Sequence, residues 1–175
     1  LRELWLHNNR LRELEPASKM INLEALFLDH NQIKDLAPLA ICTKLRTLHL
    51  NHNRPKDVLP LASLRQLEVL NLWQCQLQGL QGLEGLVQMR RLVLYGNQLT
   101  DISPLSNLRK MRQLDLTQNQ IVDIGPLAGM TKLQTLQLGQ NKIVGLKALA
   151  GMHDLRVLSL QHNQITDLEP LSELS

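Results

Sequence analysis

Two histidines and an aspartate are spaced so that a repeating fold would bring their side chains together. His30 and His52 lie 22 residues apart, and Asp29 precedes the first of them. Two imidazoles and a carboxylate would suit a zinc ion. The alternatives are a pH-sensitive contact, since imidazole titrates near neutral pH, and ordinary hydrogen-bonding histidines on a polar surface. We predict no metal site and no cofactor.

No catalytic constellation can be assembled from the remaining polar residues. The sequence offers no Ser/His/Asp or Cys/His arrangement on one site. Gly79, Gly82 and Gly85 recur every third residue, but no Lys-Ser/Thr follows them, so they do not form a phosphate-binding loop. Cys42 and Cys75 have neither a metal-ligand spacing nor a disulfide framework, and both are predicted to be buried thiols. We therefore predict that the chain is not an enzyme.

The elements that position these residues come from a repeat. The phrase Leu-x-x-Leu-x-Leu-x-x-Asn begins at residues 1, 23, 45, 67, 89, 111, 133 and 155, with Met in place of the first Leu at Met89 and Met111. The ninth position forms a column of asparagines, interrupted once by Cys75: Asn9, Asn31, Asn53, Asn97, Asn119, Asn141 and Asn163. This predicts one domain over 1–175 with eight repeats. Because the pattern starts at once and stops near Leu174, we expect a fragment without caps.

Each repeat predicts a strand followed by a compact return segment. Leucines at the fourth and sixth positions alternate with polar residues, which is the period of a strand with one buried face. The second half reads Asp-(Leu/Ile)-x-Pro-Leu, as in residues 101–105, and Pro in a first turn favours a short helix or 3₁₀ segment. The asparagine amides would satisfy backbone groups in the bend between them. Gly79 and Gly145 in place of Asp, and Pro55 in an inward column, predict local irregularities.

The repeat resembles the 22-residue class of leucine-rich repeats found in bacterial internalins and in the leucine-rich regulatory subunit of protein phosphatase 1. Residues 97–105 (NQLTDISPL) and 163–171 (NQITDLEPL) carry the resemblance to internalins. It implies an α/β solenoid: a right-handed curved stack with a concave parallel sheet and short 3₁₀ or helical convex segments. It also implies a protein ligand on the concave face. An internalin-like chain would be secreted or located at a bacterial surface, whereas an adaptor would be cytoplasmic.

The side chains between the leucines predict which part of the concave face binds. All four aromatic residues of the chain fall in the exposed fifth and seventh columns of repeats one, two, four and five. Strands favour aromatics whatever their job, and Trp5 would also cover the first repeat. Exposed aromatics are nevertheless typical of interface hot spots. The predicted partner-binding residues are Trp5, Phe27, His49, Trp73, Tyr95, Arg90, Arg91, Arg112 and Asp115.

The arginines of that set come from the second and third columns, and Asp115 comes from the fifth. The second column alternates in sign over the first five repeats, which favours a stabilising ladder of opposite charges. The alternation fails at Arg112, so Arg90, Arg91 and Arg112 are expected to cluster with Asp115 as the only nearby acid. Such a basic spot beside Tyr95 would suit an acidic patch on a partner.

These patterns leave three functional hypotheses. The first is a protein-binding module, adhesin-like or regulatory. The second is a nucleic-acid-binding surface, against which stand the modest net charge of +3 and the acids interspersed among the cations. The third is a scaffold or a designed array with no natural ligand. We expect no membrane insertion, because no run approaches the roughly 18 apolar residues of a membrane helix.

Overall fold

The computed structural model describes residues 1–172 and residue 174. These residues form one parallel sheet whose eight strands follow chain order. The strands are β1 (Glu3–Trp5), β2 (Ala25–Phe27), β3 (Thr47–His49), β4 (Val69–Asn71), β5 (Arg91–Val93), β6 (Gln113–Asp115), β7 (Thr135–Gln137) and β8 (Val157–Ser159). This confirms the predicted leucine-rich-repeat solenoid.

The register of the sheet places equivalent residues of successive repeats side by side. Leu26 lies opposite Leu48, and Leu48 lies opposite Leu70, so the inward leucines form a continuous column. A single buried core runs from Leu14 to Met152. The inward leucines of the terminal repeats, such as Leu4 and Leu158, are half-buried because the stack covers them on one side only.

Short 3₁₀ helices form the opposite side of the described solenoid. They span Glu15–Lys19, Ala37–Ile41, Leu59–Ser63, Ser103–Leu105, Gly125–Leu127, Lys147–Leu149 and Glu169–Leu171. All except Lys147–Leu149 have Pro in the first turn, where the missing N–H needs no partner. The preceding Asp accepts the first backbone N–H: Asp35 Oδ1 lies 2.9 Å from Ala37 N, and Asp101 Oδ1 lies 2.8 Å from Ser103 N. The Asp-x-x-Pro pattern therefore starts five of these seven 3₁₀ helices.

Repeat four lacks the 3₁₀ helix, whereas repeat seven keeps it. Between β4 and β5, where every residue is described, the chain forms successive turns in place of a 3₁₀ helix. Gly82 has a φ of +105°, and a Cβ atom there would lie 2.6 Å from Leu59 Cα of the neighbouring repeat. Only glycine fits such a close approach. In repeat seven the 3₁₀ helix forms despite Gly145 and Ala148, so the expected irregularity there is wrong.

The asparagine column forms the predicted hydrogen-bond ladder. Asn53 Nδ2 donates to Leu28 O at 2.9 Å and to Leu50 O at 3.0 Å, while its Oδ1 accepts from Ile33 N at 2.9 Å. Five of these asparagines are buried, whereas Asn9 is exposed and Asn163 is half-buried. One amide thus joins the bends of two adjacent repeats, which is why a polar side chain is retained in the interior.

Cys75 and Pro55 interrupt the ladder at the same contact. Each complete Asn Oδ1 contact accepts an N–H from 20 residues earlier, as Asn97 does from Leu77 N at 2.9 Å. The corresponding donor for position 75 would be residue 55, and proline has no N–H. The Cys75 thiol keeps the donor role by contacting Leu50 O at 3.2 Å. The two substitutions remove a donor and its acceptor together, so neither group is left unpaired.

Candidate functional site

A first row of rings runs along the fifth column of the sheet. Trp5 stacks on Phe27 with ring centroids 3.8 Å apart and planes 14° from parallel. Phe27 and His49 form an edge-to-face pair with ring centroids 4.8 Å apart. The parallel register of β1, β2 and β3 produces this row, because residues in one column lie directly opposite each other.

A second row of rings lies along the seventh and eighth columns. His52 lies 5.0 Å from Trp73, and Trp73 lies 5.5 Å from Tyr95 in an edge-to-face arrangement. Five predicted residues, Trp5, Phe27, His49, Trp73 and Tyr95, thus fall into two rows on one side of the sheet, and we call them the ring surface. The first row spans repeats one to three, and the second continues through repeats four and five.

The ring surface is partly open to solvent. Trp5 is 59% exposed and Trp73 is 40% exposed, whereas Phe27, His49 and Tyr95 are half-buried. Trp73 is held by its backbone: Asn51 Oδ1 accepts from Trp73 N at 2.9 Å. Exposed rings on a fixed backbone present apolar area at little entropic cost when they bind.

His49 joins the rings to the polar part of the face. Its Nδ1 lies 3.7 Å from Asp29 Oδ2. Partial burial lowers the pKa of His49 below its usual value, an effect that Asp29 opposes and Arg91 reinforces. His49 is consequently neutral over a wider pH range than a free histidine and contributes to the face mainly as a ring.

The charged part of the site differs from the sequence prediction. Glu68 lies 2.7 Å from Arg46 and also 3.4 Å from Arg90, so Arg90 is paired. The expectation that Asp115 would be the only acid near the three arginines is therefore wrong. Glu68 lies between Arg46 and Arg90 in the second column, so the order of these residues in the sequence already indicated that Glu68 can pair with both arginines.

Arg91 and Arg112 remain exposed, and within the described chain neither has a carboxylate within salt-bridge distance. Arg91 and Asp115 line one shallow concavity of about 190 Å³ beside β6. Asp115 is turned towards the backbone, with Oδ1 accepting from Thr117 N at 2.9 Å. The basic spot thus consists of two arginines and not of three.

Asn71 is a residue of this face that the sequence reasoning did not select. It lies between His49 and Val93 in the fifth column. Among the described side chains, its Oδ1 is the one buried oxygen or nitrogen without a hydrogen-bond partner. A buried carbonyl oxygen without a hydrogen-bond partner is energetically costly. The middle of the face therefore holds a polar group beside the His49 ring.

His30 and His52 approach each other, as their spacing predicted. Their rings stack with centroids 4.1 Å apart and planes 16° from parallel. No group of three or more His, Cys, Asp or Glu side chains in the described part of the chain is arranged to hold a metal ion. Both cysteines are buried and free, and burial raises the pKa of the Cys75 thiol to about 12.

The sequence matches a known repeat family along most of its length. Residues 109–165 match the family described as leucine rich repeat, and residues 1–41, 21–63, 65–107 and 87–129 match leucine rich repeats in two copies. The chain therefore belongs to the leucine-rich-repeat family. Such a solenoid is, in general, a protein-interaction module. No helix in the described residues is long and apolar enough to cross a membrane.

Solved structures confirm the predicted resemblance to internalins. Internalin C2 of Listeria monocytogenes is 38% identical, with a TM-score of 0.97 over 99% of this chain and 76% of that chain. A leucine-rich-repeat protein of Leptospira interrogans is 29% identical, with a TM-score of 0.93 over 99% of this chain and 46% of that one. TLR13 in a TLR13–ssRNA13 complex is 26% identical, with a TM-score of 0.75 over 88% of this chain and 24% of that one. No curated protein matches the sequence.

Proposed function

We propose that this chain binds a protein through the sheet side of the solenoid, with the ring surface as the centre of contact. The observation that carries the proposal is the pair of ring rows. Four aromatic side chains stand on the sheet face, whereas the buried core of the described chain is mostly leucine and contains no aromatic side chain. Tryptophan and tyrosine are enriched among the residues that dominate binding energy at protein interfaces.

The neighbouring charges suit a protein partner. Arg91 and Arg112 lie at the end of the ring surface without a carboxylate partner in the described chain, and both would meet an acidic group of the partner at the rim. Rim charges of this kind mainly steer association and select the partner. The site works by binding alone under this proposal, with no catalytic step.

Nucleic acid is the second candidate, and one observation favours it. TLR13, which has the same fold, is described in a complex with ssRNA13. The cations of this chain's face oppose the idea, because Arg2 pairs with Glu24 at 3.5 Å and Glu68 holds both Arg46 and Arg90. A phosphate backbone gains affinity by releasing counterions from unpaired cations, and paired ones contribute little.

The remaining hypothesis, a scaffold or designed array without a ligand, is opposed by the uneven face. An array built only to stack would have no reason to place rings in repeats one to five and none in the same columns of repeats six to eight. The rings cost solubility without adding to the leucine core.

Site-specific photocrosslinking tests the proposal and identifies the partner. A photoreactive phenylalanine analogue replaces Tyr95 in one variant and Ser159, a half-buried residue of β8 in the fifth column, in the control. We expect a discrete protein adduct from position 95 and none from position 159. Adducts formed equally from both positions, or a nucleic-acid adduct from position 95, would contradict the proposal.

A further inference from the structure

A second surface lies at the edge of the solenoid where the chain leaves the sheet. The tenth and twelfth columns of repeats one to three hold five exposed cations: Arg10, Arg12, Lys34, Arg54 and Lys56. In repeats four to eight the same columns hold glutamine, threonine and valine, with Lys142 as the single cation. We call the five cations the basic edge. It lies outside the ring surface.

Backbone contacts bring the cations of the basic edge close together. Lys56 N donates to Lys34 O at 3.0 Å, and Arg54 N donates to Ile33 O at 3.1 Å. Lys34, Arg54 and Lys56 are thus carried by directly adjoining turns of the chain. Like charges on adjoining positions repel each other and make the empty surface electrostatically unfavourable.

The side chains of these columns are also within reach of each other. Arg12 Nε donates to Gln32 Oε1 at 3.0 Å, and Gln78 Nε2 donates to Gln98 Oε1 at 3.3 Å. Both bonds join a twelfth position to the tenth position of the next repeat. Lys34 and Arg54 stand in the same relation, and there the pair consists of two cations.

No carboxylate of the described chain neutralises these cations. The salt bridges of the structure involve Arg2, Arg46, Arg90 and His49, all of them on the sheet side. The nearby Asp35 and Asp57 accept backbone N–H groups of their own turns, from Ala37 at 2.9 Å and Leu59 at 3.0 Å. The basic edge therefore differs from the first five repeats of the second column, where Arg2, Arg46 and Arg90 pair with acids of the same column.

The basic edge also has a shape that accepts a ligand group. Arg12, Lys34, Arg54 and His52 line a concavity of about 710 Å³ together with Glu13, Asn31 and Gln32. The hydrogen bond to Gln32 orients the Arg12 guanidinium and leaves its terminal N–H groups available. A guanidinium fork binds a carboxylate through two parallel hydrogen bonds.

We propose that the basic edge binds an acidic segment of a protein, so that one ligand chain places carboxylates on Lys34, Arg54 and Lys56. The acids beside the edge decide between a peptide and a uniform polyanion. Glu13 lines the concavity, and Asp35 and Asp57 flank the cations, so an evenly charged phosphate chain meets a negative charge in every repeat. A peptide carries its carboxylates on separate side chains and places neutral groups opposite those acids.

Fluorescence anisotropy with a labelled peptide of alternating Glu and Ser tests this proposal on the full chain. The edge variant carries Lys34→Gln, Arg54→Gln and Lys56→Gln. Its control carries Lys110→Gln, Lys132→Gln and Lys142→Gln, which remove the same charge from repeats five to seven. We expect saturable, salt-sensitive binding to the unaltered chain and to the control, and a loss of about tenfold in the edge variant.

Three results would overturn the proposal. They are equal affinity of the edge and control variants, equal binding of a peptide with Gln in place of Glu, and tighter binding of an oligothymidylate of the same charge. Thermal unfolding of both variants keeps the test interpretable. Because the edge variant loses repulsion between exposed cations, its melting temperature should be no lower than that of the control.

Discussion

The fifth and seventh columns of the sheet carry rings in repeats one to five and no ring in repeats six to eight. Trp73 and Tyr95 give way to Thr117, Gly139 and Gln161 in the seventh column. Apart from the half-buried leucines of the two terminal repeats, the inward leucines beneath both regions are equally buried. The backbone and core thus accommodate either kind of side chain in the exposed columns. Under the proposed function, the difference between the two ends comes from what the surface contacts.

If the core is uniform, the asparagine ladder should be equally important at both ends. Asn53→Ala and Asn141→Ala each leave several buried backbone groups unpaired, so we expect a loss of about 2–4 kcal/mol of unfolding free energy for each. Urea denaturation measures both. Asn9→Ala, at an exposed position, is the control and should cost less than about 1 kcal/mol. A loss confined to one end would show that the two regions differ in their cores.

The first half contains the one interruption of that ladder, and we expect it to be a coupled pair. Pro55→Leu introduces a buried N–H without an acceptor, and Cys75→Asn introduces an acceptor without that N–H. Each change alone should cost about 1–3 kcal/mol, and the double variant should recover most of the loss. A double-mutant cycle in urea measures the coupling. Additive losses would show that the two positions are independent.

The rings should contribute much less to stability than the leucines beneath them. Trp73→Ala should lower the free energy of unfolding by about 1 kcal/mol, because Trp73 is 40% exposed. Leu70→Ala, three residues earlier and fully buried, should cost about 2–5 kcal/mol. Equal losses of unfolding free energy in denaturation experiments would show that the rings stabilise the fold as much as the leucines do. The uneven distribution of the rings would then need no binding partner to explain it.

The smallest effect concerns pH. Since burial lowers the pKa of folded His49 below 6.5, its contribution to stability is complete above that value and is lost as the pH falls through the folded pKa. Replacing it by His49→Gln should make the decline of melting temperature on acidification slightly shallower. His153→Gln, an exposed residue of repeat seven, is the control. Parallel declines for the chain and both variants would contradict the assignment.

Much of the fold was predictable because the same local sequence features recur from repeat to repeat. The leucine columns, the asparagines and the Asp-x-x-Pro turns each have a local cause that the sequence repeats. A left-handed backbone in the eighth column was missed, with positive φ at residues such as His30, His52 and Gln118. The run of Asn, His, Gln and Gly at that position was its signal.

The site was predictable where it depends on columns and unpredictable where it depends on contacts between columns. The register of the sheet places Trp5 against Phe27, so their proximity followed from the repeat. The relation between Pro55 and Cys75 could not be predicted, because it depends on which backbone N–H each Asn Oδ1 accepts. The structure shows that this N–H belongs to the residue 20 positions earlier. The basic edge was not predicted because its tenth and twelfth columns lie outside the strands, and every predicted binding residue lies in the columns of the sheet face.

The ring surface as the centre of protein binding is tested most directly by calorimetric titration of the partner identified by crosslinking. One variant carries Phe27→Ala, Trp73→Ala and Tyr95→Ala, and the other carries Thr117→Ala, Gln137→Ala and Gln161→Ala. We predict that the first loses about a hundredfold or more in affinity, whereas the second stays within about threefold of the unaltered chain. Equal losses, or a greater loss in the second variant, would contradict the account.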